Sequence, residues 1–313
     1  MLTMGMAFVA CSDDDEKGGG GDTETSTPIS IPASVVDGVR ISKLTNSDGS
    51  DALEVTYHND GTIDKAVMNG QTFDFEYEPS TRGAVATGRE IKRITCKTYE
   101  SDGEGDHDSG TWVLTGFQFN TDGFLIGYHE EYTLDEVWDD EHLRTRGRHN
   151  CTLNYNAKGR LLSNHYSGSW SDSEGEGGNV DNTLEFTYKG DVLEKAFISD
   201  TDEDGTETIT FSFGYNSTSP SNYYNIMTPQ LAASMSIASP VLYLLAMTGY
   251  LGNASATLPS SFSRIDTSSD GGTDSDTYTL TYNMWDNQRV KDIIMMRGGY
   301  QYAFWNYDYF VQE

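Results

Sequence analysis

The sequence predicts an all-β protein, an antiparallel up-and-down meander of about fourteen strands that curls into a barrel or strongly bent sheet. Three observations predict it. First, apolar and polar residues alternate in run after run, as where Leu53, Val55 and Tyr57 alternate with Glu54 and Thr56. A period of two with one apolar face marks antiparallel strands that are dry on one side. Second, a Gly-bearing turn recurs between an aromatic and an aliphatic residue: Tyr57, Gly61, Ile63; Phe119, Gly123, Leu125; Tyr155, Gly159, Leu161; Tyr188, Gly190, Val192. Glycine suits a hairpin position that needs φ > 0. Tyr282 precedes a Gly-free version that ends at Val290. Third, the chain holds 19 Tyr and 13 Phe, and Tyr suits a pleated surface with one buried and one wet side.

The 313 residues are enough for one large β domain or two smaller ones. The hairpin texture runs to the C-terminus without a linker, which favours a single β domain over residues 35–313. The formal net charge is −29, with a pI near 4.3. That balance opposes nucleic acid and anionic lipid head groups as partners, since both need a positive patch. Divalent cations and neutral ligands remain open.

Residues 1–10 form a short apolar run that ends in a small residue before Cys11. This looks like the remnant of a lipoprotein signal peptide, with cleavage leaving Cys11 as an acylated N-terminus. No Lys or Arg precedes the run and the run is short, so the written start is expected to lie inside the signal or in a truncated chain. More than one acyl chain, at ~0.8 kcal/mol per buried CH₂, anchors a protein stably. The acidic run from Ser12 to Lys17 resembles the surface-export tag of Bacteroidetes-type outer-membrane lipoproteins; its plainer reading is the solvated start of a linker. Residues 11–34 have no apolar period and read as a flexible acidic and Gly-rich tether.

Along the domain, Val39 to Leu44 is a first strand and residues 46–51 a polar loop. Alternation then marks strands at Phe73–Tyr77, Leu184–Tyr188, Ile209–Tyr215 and Tyr278–Tyr282. The connections are of two kinds: short turns with Asn and Gly, and long acidic loops at 101–110, 171–178, 200–205 and 270–276. Alternate loops of a meander fall at the same end, so one end should be compact and the other acidic. Residues 228–251 break the pattern. Thr228 before Pro229 and Ser239 before Pro240 read as helix N-caps followed by Pro at the first helical position. Two short helices ending at Gly249 or Gly252 are expected, as plug or cover for an apolar opening. A transmembrane helix is the rival, disfavoured by Pro240 and the Ser and Thr residues.

The repeated Tyr-x-x-x-Gly-x-Leu hairpins, Cys11 with its acidic follow-on, and the stretch from Tyr250 to Pro259 together resemble one family. It is an uncharacterised group of Bacteroidetes outer-membrane lipoproteins, a domain of unknown function with a porin-like β fold. The resemblance covers roughly residues 38–310 and brings no catalytic residues. It implies a meander that curls into a barrel on a lipid-anchored protein of the outer membrane, facing the cell surface. A barrel that is dry inside is favoured over a membrane barrel that is dry outside, because many strands read shorter than the ~9–11 residues a bilayer strand needs.

Candidate sites are few. Asp200, Asp202 and Asp204 have the carboxylate spacing of a calcium loop, with Gly205 allowing the turn, but Phe211 stands where the closing Glu belongs. An acidic hairpin loop is the plainer reading; calcium is the one cofactor the residues suggest. Cys96 and Cys151 lie on strands and are either a disulfide or two separate buried thiols. Trp138 and Trp285 fall in loops or turns, where they could stack on sugar rings; ordinary packing is the alternative. The expected function is a non-enzymatic, surface-exposed binding or interaction module, with a glycan or another surface protein as partner. An extracellular polysaccharide hydrolase and a hydrophobic-ligand carrier are the alternatives.

Overall fold

The structure, a computed structural model, describes residues 39–68, 70–79, 89–101, 107–138, 141–202, 205–222, 241–247 and 249–311. The lipidation site Cys11, the tether over 11–34 and the N-cap signals at Thr228 and Ser239 lie outside the described residues. The first eight strands are β1 (Val39–Asn46), β2 (Asp51–Tyr57), β3 (Ile63–Met68), β4 (Gln71–Pro79), β5 (Arg89–Ser101), β6 (His107–Phe119), β7 (Leu125–Trp138) and β8 (Glu141–Tyr155). The rest are β9 (Leu161–Asp172), β10 (Gly177–Lys189), β11 (Val192–Asp202), β12 (Gly205–Gly214), β13 (Ser261–Thr267), β14 (Thr273–Met284), β15 (Val290–Arg297) and β16 (Tyr300–Val311). Among the described residues one helix, α1 (Leu242–Met247), lies in the connection between β12 and β13.

Each strand pairs antiparallel with its sequence neighbours, and β1 pairs with β16 from Val39↔Val311 to Asn46↔Trp305. The sheet is therefore a closed sixteen-strand barrel, two strands more than expected. The acidic stretches account for much of the difference between expectation and structure. They are not long loops: β5 runs to Ser101 and β6 starts at His107, β9 runs to Asp172 and β10 starts at Gly177, and β11 runs to Asp202. Ladder bonds join main-chain groups, so strands continue through polar residues while their partners stay in register. Side-chain alternation marks only the stretch that reaches the core. The prediction that these connections share one end holds, as alternate hairpins of a meander must.

The inward face is apolar. Leu53, Phe73, Ile94, Leu114, Leu125, Leu184, Phe211, Phe262, Ile293 and others from around the ring form one buried cluster. Sixteen strands in a round barrel leave room for a water channel. Here inward apolar side chains form one buried cluster, and α1 joins it with Leu242, Leu244 and Leu245 fully buried. Gly249 and Gly252, at φ of 84° and 81°, turn the chain away after α1. The outward positions carry exposed charges at mid-strand, among them Glu54, Lys65, Glu76, Lys97, Arg148, Glu185 and Lys195. A Lys or Arg facing lipid at mid-bilayer costs about 2–4 kcal/mol. The inward face is thus apolar and the outward face charged at mid-strand. The strand-length argument for a barrel dry inside holds for β1, β2, β3, β13 and β15, with 8, 7, 6, 7 and 8 residues, but not for β5 to β8, with 13, 13, 14 and 15.

The Tyr of the hairpin repeat has a structural job. At the end of β2, Tyr57 Oη donates to the Ile41 carbonyl at the start of β1, at 2.6 Å. Tyr155 does the same from β8 to Leu125 of β7, at 2.6 Å. Tyr215, just past β12, donates to Leu193 of β11 at 2.7 Å, and Tyr309 of β16 to Val290 of β15 at 2.8 Å. Tyr282 of β14 reaches Pro259, just before β13, at 2.7 Å. Bulges at Thr56/Tyr57 and Asn154/Tyr155 re-aim the ring at the point of use.

Candidate functional site

One turn is shared by several hairpins. In residues 58–62, 120–124 and 156–160 the first residue's N–H donates to the fifth carbonyl, and a Gly at the fourth position donates back to the first carbonyl. Those glycines, Gly61, Gly123 and Gly159, have φ between 69° and 84°. The first residue helps to cap the turn: Asn120 Oδ1 accepts from the N–H groups of Asp122 and Phe124, at 3.0 and 2.9 Å. Asn156 Oδ1 accepts from Lys158 and Arg160 in the same way.

Residues 285–289 make the same turn with different chemistry. Trp285 N–H donates to Arg289 O at 2.8 Å, and Gln288 N–H to Trp285 O at 2.9 Å. The glycine position is held by Gln288, at φ 64°, the one non-Gly residue with positive φ among the described residues. A side chain there costs about 1–2 kcal/mol. The first position is held by Trp285, and Asn287 Oδ1 at the third accepts from Arg289 N–H at 3.3 Å, as Asp60 Oδ1 accepts from Thr62 N–H at 3.1 Å in the 58–62 turn. The glycine rule is broken at Gln288, and the first position carries an indole that is 49% exposed.

Around it lies a shallow pocket of about 320 Å³ lined by Trp285, Asp286, Asn287, Arg289 and Tyr309. Lys291 Nζ sits 5.1 Å from the centre of the Trp285 ring, and Arg289 Cζ 5.7 Å from that of Tyr309. An exposed ring beside a carboxylate, an amide and a guanidinium can stack on an apolar sugar face while hydrogen-bonding its hydroxyls. The sequence reading found Trp285 but missed its neighbours. Tyr309 comes from β16, the strand that follows and pairs with β15, and lies 20 residues beyond Arg289.

The other candidates fare differently. Trp138 is the last residue of β7 rather than a loop residue, and its side chain lies outside what is described. Asp200 and Asp202 are strand residues of β11, with Asp200 opposite Glu207 of β12. Asp204 lies outside the described residues, as does the Asp202 side chain, so their convergence on calcium has no structural description. Among the described residues no group of three His, Cys, Asp or Glu is placed to hold a metal ion. Cys96 and Cys151 are free, buried thiols on β5 and β8, with β6 and β7 between them. At ~4.8 Å per strand they are too distant to bridge, and burial pushes each thiol up to about 12.

The sequence reading also missed a buried polar chain. Tyr166 Oη on β9 donates to Glu130 Oε1 on β7 and lies 2.6 Å from His149 Nδ1 on β8. His149 stacks on Tyr132 with ring centres 5.3 Å apart. Glu130, His149 and Tyr166 are 2%, 5% and 6% exposed. These are acid–base side chains buried in the barrel wall, where Tyr166 links Glu130 and His149 while His149 Nε2 has no hydrogen-bond partner among the described residues.

No family model matches the chain, and no curated protein matches it. Solved structures do. A porin-like protein from Bacteroides vulgatus is 13% identical with a TM-score of 0.54, over 86% of this chain and 98% of that one. A porin-like protein from Bacteroides uniformis is 14% identical over 70% of this chain and 97% of that one, at a TM-score of 0.30. The first likeness speaks for the fold alone: this chain is similar to a Bacteroides porin-like barrel.

Proposed function

We propose that this chain is a non-enzymatic binding module, held at the outer membrane by acyl chains on Cys11, that takes a neutral glycan at the Trp285 turn. The observation that carries the reading is the turn itself. Gln288 stands in a left-handed conformation that the sister hairpins give to Gly, and Trp285 where they place Asn or His. Strain kept in one copy of a repeated element is the mark of a functional position. The charged outer face supports a barrel that stands in water beside the bilayer, so an anchor is needed rather than redundant.

Binding is preferred to hydrolysis because the pocket has one carboxylate, Asp286, where glycosidases use two. A hydrophobic-ligand carrier is the other alternative, and among the described residues the apolar cluster with α1 takes up part of the interior it would use. The test is a glycan array with the full chain, followed by titration of any hit into the Trp285→Ala variant. Loss of a stacked ring should weaken binding about tenfold or more. An array without hits, or a hit that Trp285→Ala binds unchanged, rejects the reading.

A further inference from the structure

Strand β8 carries Arg144, Arg146 and Arg148 at alternate, outward positions. Arg148 lies opposite Glu131 on β7 and Ser169 on β9, and Arg146 opposite Thr133 and Ser171. On β6, Val113 and Thr111 extend the same two rows. The rows cross four strands, and between them the main chain of Tyr132, Gly147 and Trp170 lies at the bottom of a groove of about 530 Å³. With strands ~4.8 Å apart and alternate residues ~7 Å apart, its footprint is about 14 by 7 Å.

The charge here runs against the rest of the molecule. The chain has 49 Asp and Glu against 20 Lys and Arg, yet this face presents three guanidiniums against the carboxylates of Glu131 and Asp135. Arg148 Nε donates to Glu131 Oε1 at 3.1 Å, and Arg144 Nε to Asp135 Oδ1 at 2.6 Å. Arg146, between them, has no hydrogen-bond or ion-pair partner among the described residues. Its five donors are presented to a groove whose other outward side chains are the hydroxyls of Thr111, Thr133, Ser169 and Ser171, the Glu131–Arg148 ion pair and Val113.

We infer that this groove is a second binding site, for a small acidic sugar. Arg146 takes the one carboxylate or sulfate group, because its fork of N–H donors matches a planar or tetrahedral oxyanion. Thr111, Thr133, Ser169 and Ser171 meet the ring hydroxyls, each able to donate and accept. The volume suits a sugar-sized ligand. A polyanion is disfavoured, because the net charge of −29 repels each further negative group. The site lies on β6 to β9, apart from the Trp285 turn between β14 and β15, and stands whether or not that turn binds a glycan.

The test is calorimetric titration of the full chain at low salt with glucuronate, glucose 6-sulfate, glucose and inorganic sulfate. At least one acidic sugar should bind, glucose should not, and added salt should weaken the binding. Arg146→Ala should reduce the affinity about tenfold or more. Glu131→Gln, which frees Arg148, should raise it, and Trp285→Ala should leave it unchanged. Should Arg146→Ala lose its circular dichroism spectrum, Arg146→Gln takes its place. The inference is overturned if neither acidic sugar binds at millimolar concentration, or if the Arg146 variant binds as the parent does. Inorganic sulfate binding as tightly as the sugars overturns the sugar assignment.

Discussion

At the scale of single residues, Gln288 offers the sharpest test of whether strain is kept for a purpose. The sister hairpins place a glycine at the fourth turn position, as at Gly61 and Gly159, whose φ values of 79° and 69° cost that residue nothing. Gln288 at 64° carries the steric cost of a Cβ facing its own carbonyl. Gln288→Gly should therefore stabilise the chain. The relief of about 1–2 kcal/mol is partly offset by the extra freedom of Gly in the unfolded state, leaving a net gain of about 0.5–1 kcal/mol. Urea unfolding monitored by circular dichroism measures it as a higher midpoint at unchanged slope. A neutral or destabilising result would mean that the Gln288 side chain makes up the cost by packing. The sequence showed that this hairpin lacks its glycine. It could not show which residue would take the left-handed position, because that depends on the turn's hydrogen bonds.

At the scale of elements, the hairpin is held by its tyrosine as much as by its turn. Tyr155 Oη joins the end of β8 to the first carbonyl of β7, beyond the last regular pair Gly127↔Thr152, while the bulge at Asn154/Tyr155 lies on the β9 side. Tyr155→Phe removes the donor and keeps the ring, so it should cost about 1–2 kcal/mol. Tyr188 is a built-in comparison. It stands at the end of β10 beneath the Arg160 guanidinium, 5.5 Å from its ring centre, with no hydrogen bond from its hydroxyl among the described residues. Tyr188→Phe should cost well under half as much, and equal losses in thermal unfolding would refute the latch. The recurring Tyr was legible in the sequence as a period; its bond was not, since the partner lies 16 residues away at Tyr57 and 30 at Tyr155. Strand parity was legible wherever a strand meets the core, at Phe73 and Phe75 for instance. It was silent at 101–110 and 171–178, where both faces are polar and main-chain pairing alone carries the strand. The arginines of β8 follow the same period of two, but an outward row gains meaning only once β7 and β9 are set beside it.

At the scale of the whole molecule, closure decides how the protein comes apart. The β1–β16 pairing leaves no free edge, so no hairpin can peel away without breaking a ladder on each side. That pairing has no local signature in the sequence, which is why a barrel and a strongly bent sheet stood as alternatives until β1 was set beside β16. Its consequence is visible at high pH. Burial raises the hydroxyls of Tyr57, Tyr77, Tyr155, Tyr166, Tyr188, Tyr243, Tyr282 and Tyr307 above their ordinary value, and pushes Tyr250 up to about 12. A group whose folded pKa is raised holds its proton in the barrel after the unfolded chain has lost it. The stabilisation is complete below the unfolded value, near 10 for Tyr, and declines as pH rises beyond it. Each such group removes about 1.4 kcal/mol per pH unit in that range. Together these tyrosines remove on the order of 10 kcal/mol per unit, against a typical total stability of about 5–15 kcal/mol. The barrel should therefore hold at pH 10 and unfold within about one further unit, in a single step. Tyrosinate absorbance from the buried rings and loss of the far-ultraviolet β signal should rise together in a pH titration. Tyrosinate appearing in stages while the β signal persists would mean that the ring opens locally, and that closure does not bind the sixteen strands into one cooperative unit.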